Sequence, residues 1–347
     1  QWVQDFDPDM FEELKVRVQE GRFIIVGGWN VQPDCNLPSG EHFARMSLYS
    51  QRYFKETFGK TALVGYNVDS FGHNAMMPQI LQKSGMKYYV YMRPMDYEKS
   101  MQENVFAWES PDGSRVTAFR IYEAYCKRFN TIEELETYLD NCSEFYHGTE
   151  FMGYYGVGNH GGGPTIKNIR LIEEYNKKDD GRYELRMADP VEFFQKYEAE
   201  NELLVVKDEL QHHASGCYSA VSEVKTLLRK GDTKLTAAER FSVMAEVLTG
   251  KKYDRIHMVG GGINNKLVCQ FTADFCNVTV YAAALNSECL NGDGGLVALG
   301  SLDSEFAAGD ERFAGGAVAG FMGAKAFAMG YSSILGGKRR SIGLTGI

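Results

Sequence analysis

Seven short apolar runs, at residues 23–26, 62–67, 88–92, 116–122, 151–155, 184–187 and 203–206, punctuate the chain, and several lack alternating polarity. A strand with one wetted face alternates apolar and polar residues, whereas a strand buried on both faces, as in a parallel sheet, does not. Between these runs, residues 41–58, 76–83, 132–145 and 166–177 carry apolar side chains at helical spacing. Thr131 with Glu134 three positions on forms a capping box ahead of the third of them. Strand and helix in alternation restrict the fold to a parallel α/β sheet or barrel. From Ala214 to about Gly250 the pattern turns wholly helical, with Gly231-Asp232 expected to separate two helices.

The chain of 347 residues has room for two or three domains. Its 44% hydrophobic and 24% charged residues are those of a globular protein. No apolar run approaches the roughly 18 residues of a membrane span, and no signal segment opens the chain, so a membrane partner is not expected. A net charge of −9 argues against nucleic acid. Seven cysteines without a Cys-x-x-Cys pair fit reduced thiols and a cytoplasmic setting. The first residue is Gln1, as expected of a processed end or a fragment. Composition is uneven: the balance is −10 over residues 1–250 and +1 over 251–347, and 14 of 37 glycines fall after residue 290. Two kinds of sequence are joined here.

In parallel α/β structures chemistry gathers just past the C-terminal ends of the strands. Polar clusters fall there: Val68-Asp69-Ser70-Phe71-Gly72-His73-Asn74, then Arg93-Pro94, then GVGNHGGGPT at 156–165, then Asp208-Glu209-Leu210-Gln211-His212-His213. All four would converge on one mouth. Each also has a plain reading. An Asp before Ser-Phe-Gly serves in turns and N-caps. The triple glycine lacks the Lys-Ser/Thr of a phosphate loop and lets backbone approach a ligand or turn sharply. Arg93 closes a salt bridge as readily as it holds substrate. His212 and His213 could bind metal, yet neighbours on a strand face opposite ways, so at most one points inward.

Taken together, GGWNVQPDCNLPSGEHFARMSLYSQRYFKETFG (27–59), GYNVDSFGHNAMMPQILQKSGM (65–86), GVGNHGGGPT (156–165) and KDELQHHASGCYSAVSEVK (207–225) resemble the catalytic domain of family 38 glycoside hydrolases, the α-mannosidases, in their bacterial form. The resemblance covers roughly residues 1–250. It implies a barrel-like α/β domain followed by a three-helix bundle, with a zinc ion in the mouth and hydrolysis of α-mannosides with retained configuration. Retention needs a carboxylate to attack the anomeric carbon and a second group to protonate the leaving oxygen. The family's Asp-x-Phe-Gly-His motif assigns Asp69 as both nucleophile and zinc ligand. Phe71 matches its aromatic beside the sugar, and Arg93 an arginine that orients nucleophile and substrate. The acid/base belongs to the loop at 156–163, where many relatives read Gly-Asp-His-Gly-Gly-Gly and this chain has Asn159. An amide gives up no titratable proton, so Asn159 is retained as a substrate contact, and His160 and Asp208 become the acid/base candidates.

Other zinc ligands that the resemblance implies, a His-x-Asp motif expected before Gln1 and a His in an Asn-Gln-Phe-His-Asp-type segment expected near residue 250, do not occur in this sequence. The zinc of the family is therefore not expected to be retained. KYDRIHMVGGGINNKLVCQFTADFCNVTVYA (252–282) resembles instead the C-terminal domain of FGGY carbohydrate kinases of the rhamnulokinase type, whose Gly-Gly-Gly loop (260–262) approaches ATP. The join is expected at 248–253.

The expected order is an α-mannosidase-like α/β domain lacking its first strand (1–210), the start of a helical bundle (211–250), a small kinase-like α/β fragment (251–304) and an unassigned Gly/Ala-rich tail (305–347). The run Lys338-Arg339-Arg340 is read as solvated charge. The expected function is a zinc-dependent, retaining α-mannosidase-type glycosidase, impaired in this chain, with an α-mannoside or mannose-containing oligosaccharide as partner. The alternatives are a non-catalytic carbohydrate-binding remnant or chimera and, further off, an ATP-dependent sugar kinase resting on 260–262. Oligomeric state is left open.

Overall fold

The computed structural model describes residues 2–148, 150–158, 162–178 and 181–250, and the strand segments 255–258, 279–282, 311–313 and 340–346. It divides into two compact units, one of Gln1–Ser215 with Met322–Ile347 and the other of Gly216–Phe321. The first opens with helices α1 (Trp2–Phe6), α2 (Pro8–Gln19) and α3 (Gly40–Phe58). Strands and helices follow as β1 (Val64–Asn67), α4 (Met77–Lys83), β2 (Tyr88–Tyr91), β3 (Val105–Glu109), β4 (Arg115–Arg120) and α5 (Ile132–Tyr146). Next come β5 (Glu150–Tyr155), α6 (Ile166–Asn176), β6 (Tyr183–Arg186), α7 (Pro190–Glu200) and β7 (Val205–Val206). The second unit contains α8 (Gly216–Ser219), α9 (Ser222–Thr249), β8 (Arg255–Met258), β9 (Thr279–Ala282) and β10 (Glu311–Phe313). Strand β11 (Arg340–Gly346) returns to the first unit.

Two of the three sheets among the described residues are mixed. The first runs β1-β2-β4-β3-β7, parallel except where β3 and β4 form a hairpin. A second runs β5-β11-β6, parallel throughout, and the strands of the smaller unit form a third, β10-β9-β8. Strands β1, β2 and β3 are buried at every position, including the polar Asn67 that ends β1 and the Glu109 that ends β3. Helices pack against them to form one aromatic-rich core around Phe119, Tyr154 and Phe193, and another around Tyr89, Phe106 and Trp108.

Most expected elements appear within a residue or two, and the differences have physical reasons. Residues 23–26 form no strand; the chain makes only a bridge from Gly27 to Gly65, its N–H reaching the Val64 carbonyl at 2.8 Å. The segment then turns inward to bury Trp29. Strand β3 and helix α7 went unread. The helix is announced by Asp189, whose side chain accepts from the Val191 N–H at 2.8 Å, followed by Pro190 at the first helical position. The Thr131 cap forms, but Glu134 reaches back to the Asn130 N–H at 2.7 Å, one residue further than a standard capping box. Helix α9 passes through Gly231 unbroken, because an interior glycine costs a helix only about 1 kcal/mol relative to alanine.

The Phe119 ring is fully buried and meets Tyr146 at 4.9 Å, Phe193 at 5.5 Å and Tyr154 at 6.1 Å. Phe119→Ala is expected to lower stability by about 3–5 kcal/mol, through lost burial and the cavity left behind, as read from urea unfolding midpoints.

Candidate active site

Strands β1 and β2 pair in parallel with Asn67 opposite Tyr91. Two residues beyond each strand lie Asp69 and Arg93. They meet: Arg93 Nη2 stands 3.6 Å from Asp69 Oδ1. The Asp69 side chain is 39% exposed and that of Arg93 23%, so the pair is open to a ligand from one side. Phe71 completes the group, with the Arg93 guanidinium 5.4 Å from its ring centre.

The loop carrying Asp69 is held from behind by residues 27–37. Trp29 Nε1 donates to Asn67 Oδ1 at 2.8 Å, and Ser70 Oγ donates to the Pro33 carbonyl at 2.7 Å. With its amide turned to satisfy both neighbours, Gln32 accepts from the backbone N–H of Asp69 at 2.7 Å and of Val68 at 3.2 Å. Buried Asn67 also donates to Cys35 Sγ at 3.1 Å. Farther along, Gly72 takes φ +102°, and a Cβ there would collide with the Gln211 side chain. Gln211 donates in turn to Asn36 Oδ1 at 2.5 Å. His73 lies beneath, fully buried, its Nδ1 2.7 Å from the Tyr89 hydroxyl. Burial pushes its pKa down to about 3, so the ring is neutral.

The loop after β4 faces the same mouth. Burial pushes the Cys126 thiol up, and Asp69 and Arg93 both lie within electrostatic reach of it. Gly158, at φ +60°, packs so closely on Cys126 that a Cβ would overlap it. The glycine-rich loop folds back on itself, with the Gly158 N–H donating to the Gly162 carbonyl at 3.0 Å and the reverse bond at 3.2 Å. Arg128 ties the two loops together by donating to the Val157 carbonyl at 3.0 Å. Asn159 and His160 lie outside the described residues, as does the kinase-like 260–262 loop.

His213 turns inward and His212 outward. His213 touches Arg93 rather than a metal: its Nε2 is 2.9 Å from Arg93 Nη1, and its Nδ1 is 2.7 Å from Glu98 Oε1. Asp208 is placed differently from a proton donor. Lys99 Nζ donates to it at 2.6 Å and to the Glu209 carbonyl at 2.9 Å, and that ammonium holds the Asp208 carboxyl below its usual range. An acid kept ionised at neutral pH accepts protons poorly and gives none. Among these partners, Glu98 and Lys99 lie outside every segment that the sequence singled out, and Gln32 and Gln211 lie inside such segments without being assigned a role.

Zinc takes four donors, or three and a water. Among the described residues no three His, Cys, Asp or Glu side chains gather as a metal group, and Asp69 has a guanidinium as its near neighbour. These residues alone do not fit the family's zinc centre.

Residues 1–216 match the model of the glycosyl hydrolases family 38 N-terminal domain. The chain belongs to glycosyl hydrolase family 38. Residues 217–300 match the C-terminal domain of the FGGY family of carbohydrate kinases. Among curated family 38 relatives, alpha-mannosidase G of Dictyostelium discoideum is 30% identical over 78% of this chain and 25% of its own length. Alpha-mannosidase 2C1 of Homo sapiens is 28% identical over 71% of this chain and 24% of its own. The chain thus spans about a quarter of the relatives it matches. An alignment over 78% of the chain necessarily runs past residue 216, where the family 38 model stops. The fold resembles that of an alpha-mannosidase from Enterococcus faecalis V583, with TM-score 0.52 and 21% identity over 60% of this chain and 24% of that one. Among the described residues no helix is long and apolar enough to cross a membrane.

Buried neutral His73 makes stability depend on pH with a definite sign. The unfolded ring takes a proton below about 6.5 while the folded ring stays neutral to about 3, so stability falls as pH drops through that window. Between pH 7 and 5 the parent is expected to lose about 2 kcal/mol more than His73→Gln, as measured by urea unfolding at the two pH values.

Proposed function

We propose that the mouth around Asp69 binds the terminal sugar of an α-mannoside and hydrolyses its glycosidic bond with retention. The observation that carries this reading is the half-exposed Asp69 carboxylate 3.6 Å from Arg93, with Phe71 alongside. Arg93 keeps the carboxylate aimed, and Phe71 offers an apolar face to the sugar ring. An Asp69 oxygen attacks the anomeric carbon as the bond to the leaving oxygen breaks, and the leaving oxygen takes up a proton. Water then attacks the same carbon, loses a proton, and frees the Asp69 carboxylate.

The proton is the weak point. Asn159 has none to give, Asp208 is held ionised by Lys99, and His160 is the remaining candidate. The family's zinc would anchor sugar hydroxyls, but the described residues do not gather a donor set for it. The reading is therefore an impaired α-mannosidase that acts on substrates whose leaving group departs unaided. A barrel-like closure of the α/β unit, a helical bundle beginning near residue 211, a join to the kinase-like segment near 250 and a cytoplasmic setting belong to the same proposal. No kinase chemistry is assigned to the FGGY-like segment.

The test compares two substrates. 2,4-Dinitrophenyl α-mannoside is expected to turn over slowly and methyl α-mannoside not at all, with Asp69→Asn abolishing the former. Asn159→Asp is expected to raise turnover of the methyl glycoside by roughly 10²–10⁴-fold over its background. Turnover that survives Asp69→Asn, or a first product of inverted configuration, would contradict the reading. Binding without any turnover would favour a carbohydrate-binding remnant.

A further inference from the structure

Arg93 is fixed by more than its carboxylate. A guanidinium has donors only, so at 2.9 Å His213 Nε2 must accept from Arg93 Nη1. The proton of the imidazole is then on Nδ1, where Glu98 takes it through Oε1 at 2.7 Å and Oε2 at 2.9 Å. Glu98 is itself oriented by the Met95 N–H, which donates to Oε2 at 2.8 Å. The His213 ring stands edge-on to Phe71, with centres 5.1 Å apart, so it also backs the aromatic under the guanidinium. His213 and Glu98 are 16% and 18% exposed, more enclosed than the pair they support.

We propose that His213 and Glu98 are positioning residues: Glu98 selects the Nδ1–H tautomer of His213, and His213 Nε2 takes one edge of Arg93 so that Nη2 is presented to Asp69. The chemistry explains why an imidazole stands between two charged groups. A carboxylate in direct reach of Arg93 would capture the guanidinium as a bidentate pair and withdraw its donors from Asp69. A neutral imidazole uses one donor and leaves the rest. The segments that carry the dyad are fastened by Lys99, which donates to Asp208 and to the Glu209 carbonyl. Lys99 is anchored in turn by Arg120, almost wholly buried, which donates to the Lys99 carbonyl at 2.7 Å and to Asp96 at 2.8 Å. Asp208 thereby serves the site as a fastening.

The catalytic meaning of this arrangement rests on Asp69 as nucleophile; the arrangement itself does not. The experiment uses the full chain labelled with ¹⁵N-histidine and ¹⁵N-arginine. In the parent, nitrogen shifts are expected to place the His213 proton on Nδ1, and the Arg93 Nη signals to stay resolved by restricted rotation. His213→Ala is expected to average those signals, and His213→Gln, whose amide oxygen can accept, to restore them. Turnover of 2,4-dinitrophenyl α-mannoside should follow, with kcat falling roughly 10²-fold in His213→Ala, KM moving far less, and most of the loss recovered in His213→Gln. A His213 proton on Nε2 in the parent overturns the proposal without any variant, as does Arg93 equally restrained in parent and His213→Ala. Should the parent not hydrolyse the substrate, the functional reading fails while the nitrogen spectra still decide the dyad.

Discussion

Parallel pairing of β1 with β2 in one register is the constraint on which the site depends. With Asn67 opposite Tyr91, positions two beyond each strand are lateral neighbours of the same parity, so Asp69 and Arg93 emerge side by side. A slip of one residue would send one of the two to the opposite face. The register is secured by burial rather than by the site, since every residue of both strands is buried. The aromatic core thus positions the charged pair at a distance.

Around that pair the structure spends most of its polar contacts on orientation. Residues 27–37 clasp the Asp69 loop from one side through Trp29, Gln32 and Pro33. Arg93 is gripped from the other through His213 and Glu98. The two grips come from segments far apart in the sequence and share no motif, yet both act on one carboxylate. Their tightness contrasts with the exposure of Asp69 itself, the arrangement expected of a reactive group held by a rigid surround.

Legibility in the sequence followed the range of the interactions. Doubly buried strands and their helices could be read because burial leaves its mark on consecutive residues; Asp69, Phe71 and Arg93 fall in clusters just past those strands, but it was the family motif that singled them out. Hairpin strand β3 was harder to read: its apolar stretch is short and ends at Glu109, which is buried only because Lys207 reaches it at 2.8 Å and Arg115 also pairs with it. Glu98 and Gln32 could not be read at all, since their roles exist only after packing brings separate segments together. Asp208 was legible as an acid near the mouth; that it pairs with Lys99, 109 residues away in sequence, was not. The puzzle of His212 and His213 resolves through Arg93: one imidazole is turned inward to accept from a cation.

The account's central claim is that Asp69 is the group that bonds to the sugar. A 2-deoxy-2-fluoro-mannosyl donor with an activated leaving group tests it most directly, because such a group departs without a general acid and the fluorine slows release of the intermediate. Intact-mass measurement followed by peptide mapping should find one fluoromannosyl adduct, carried by the peptide containing Asp69 and lost in Asp69→Asn. An adduct on another residue, or one that persists in Asp69→Asn, would contradict the account.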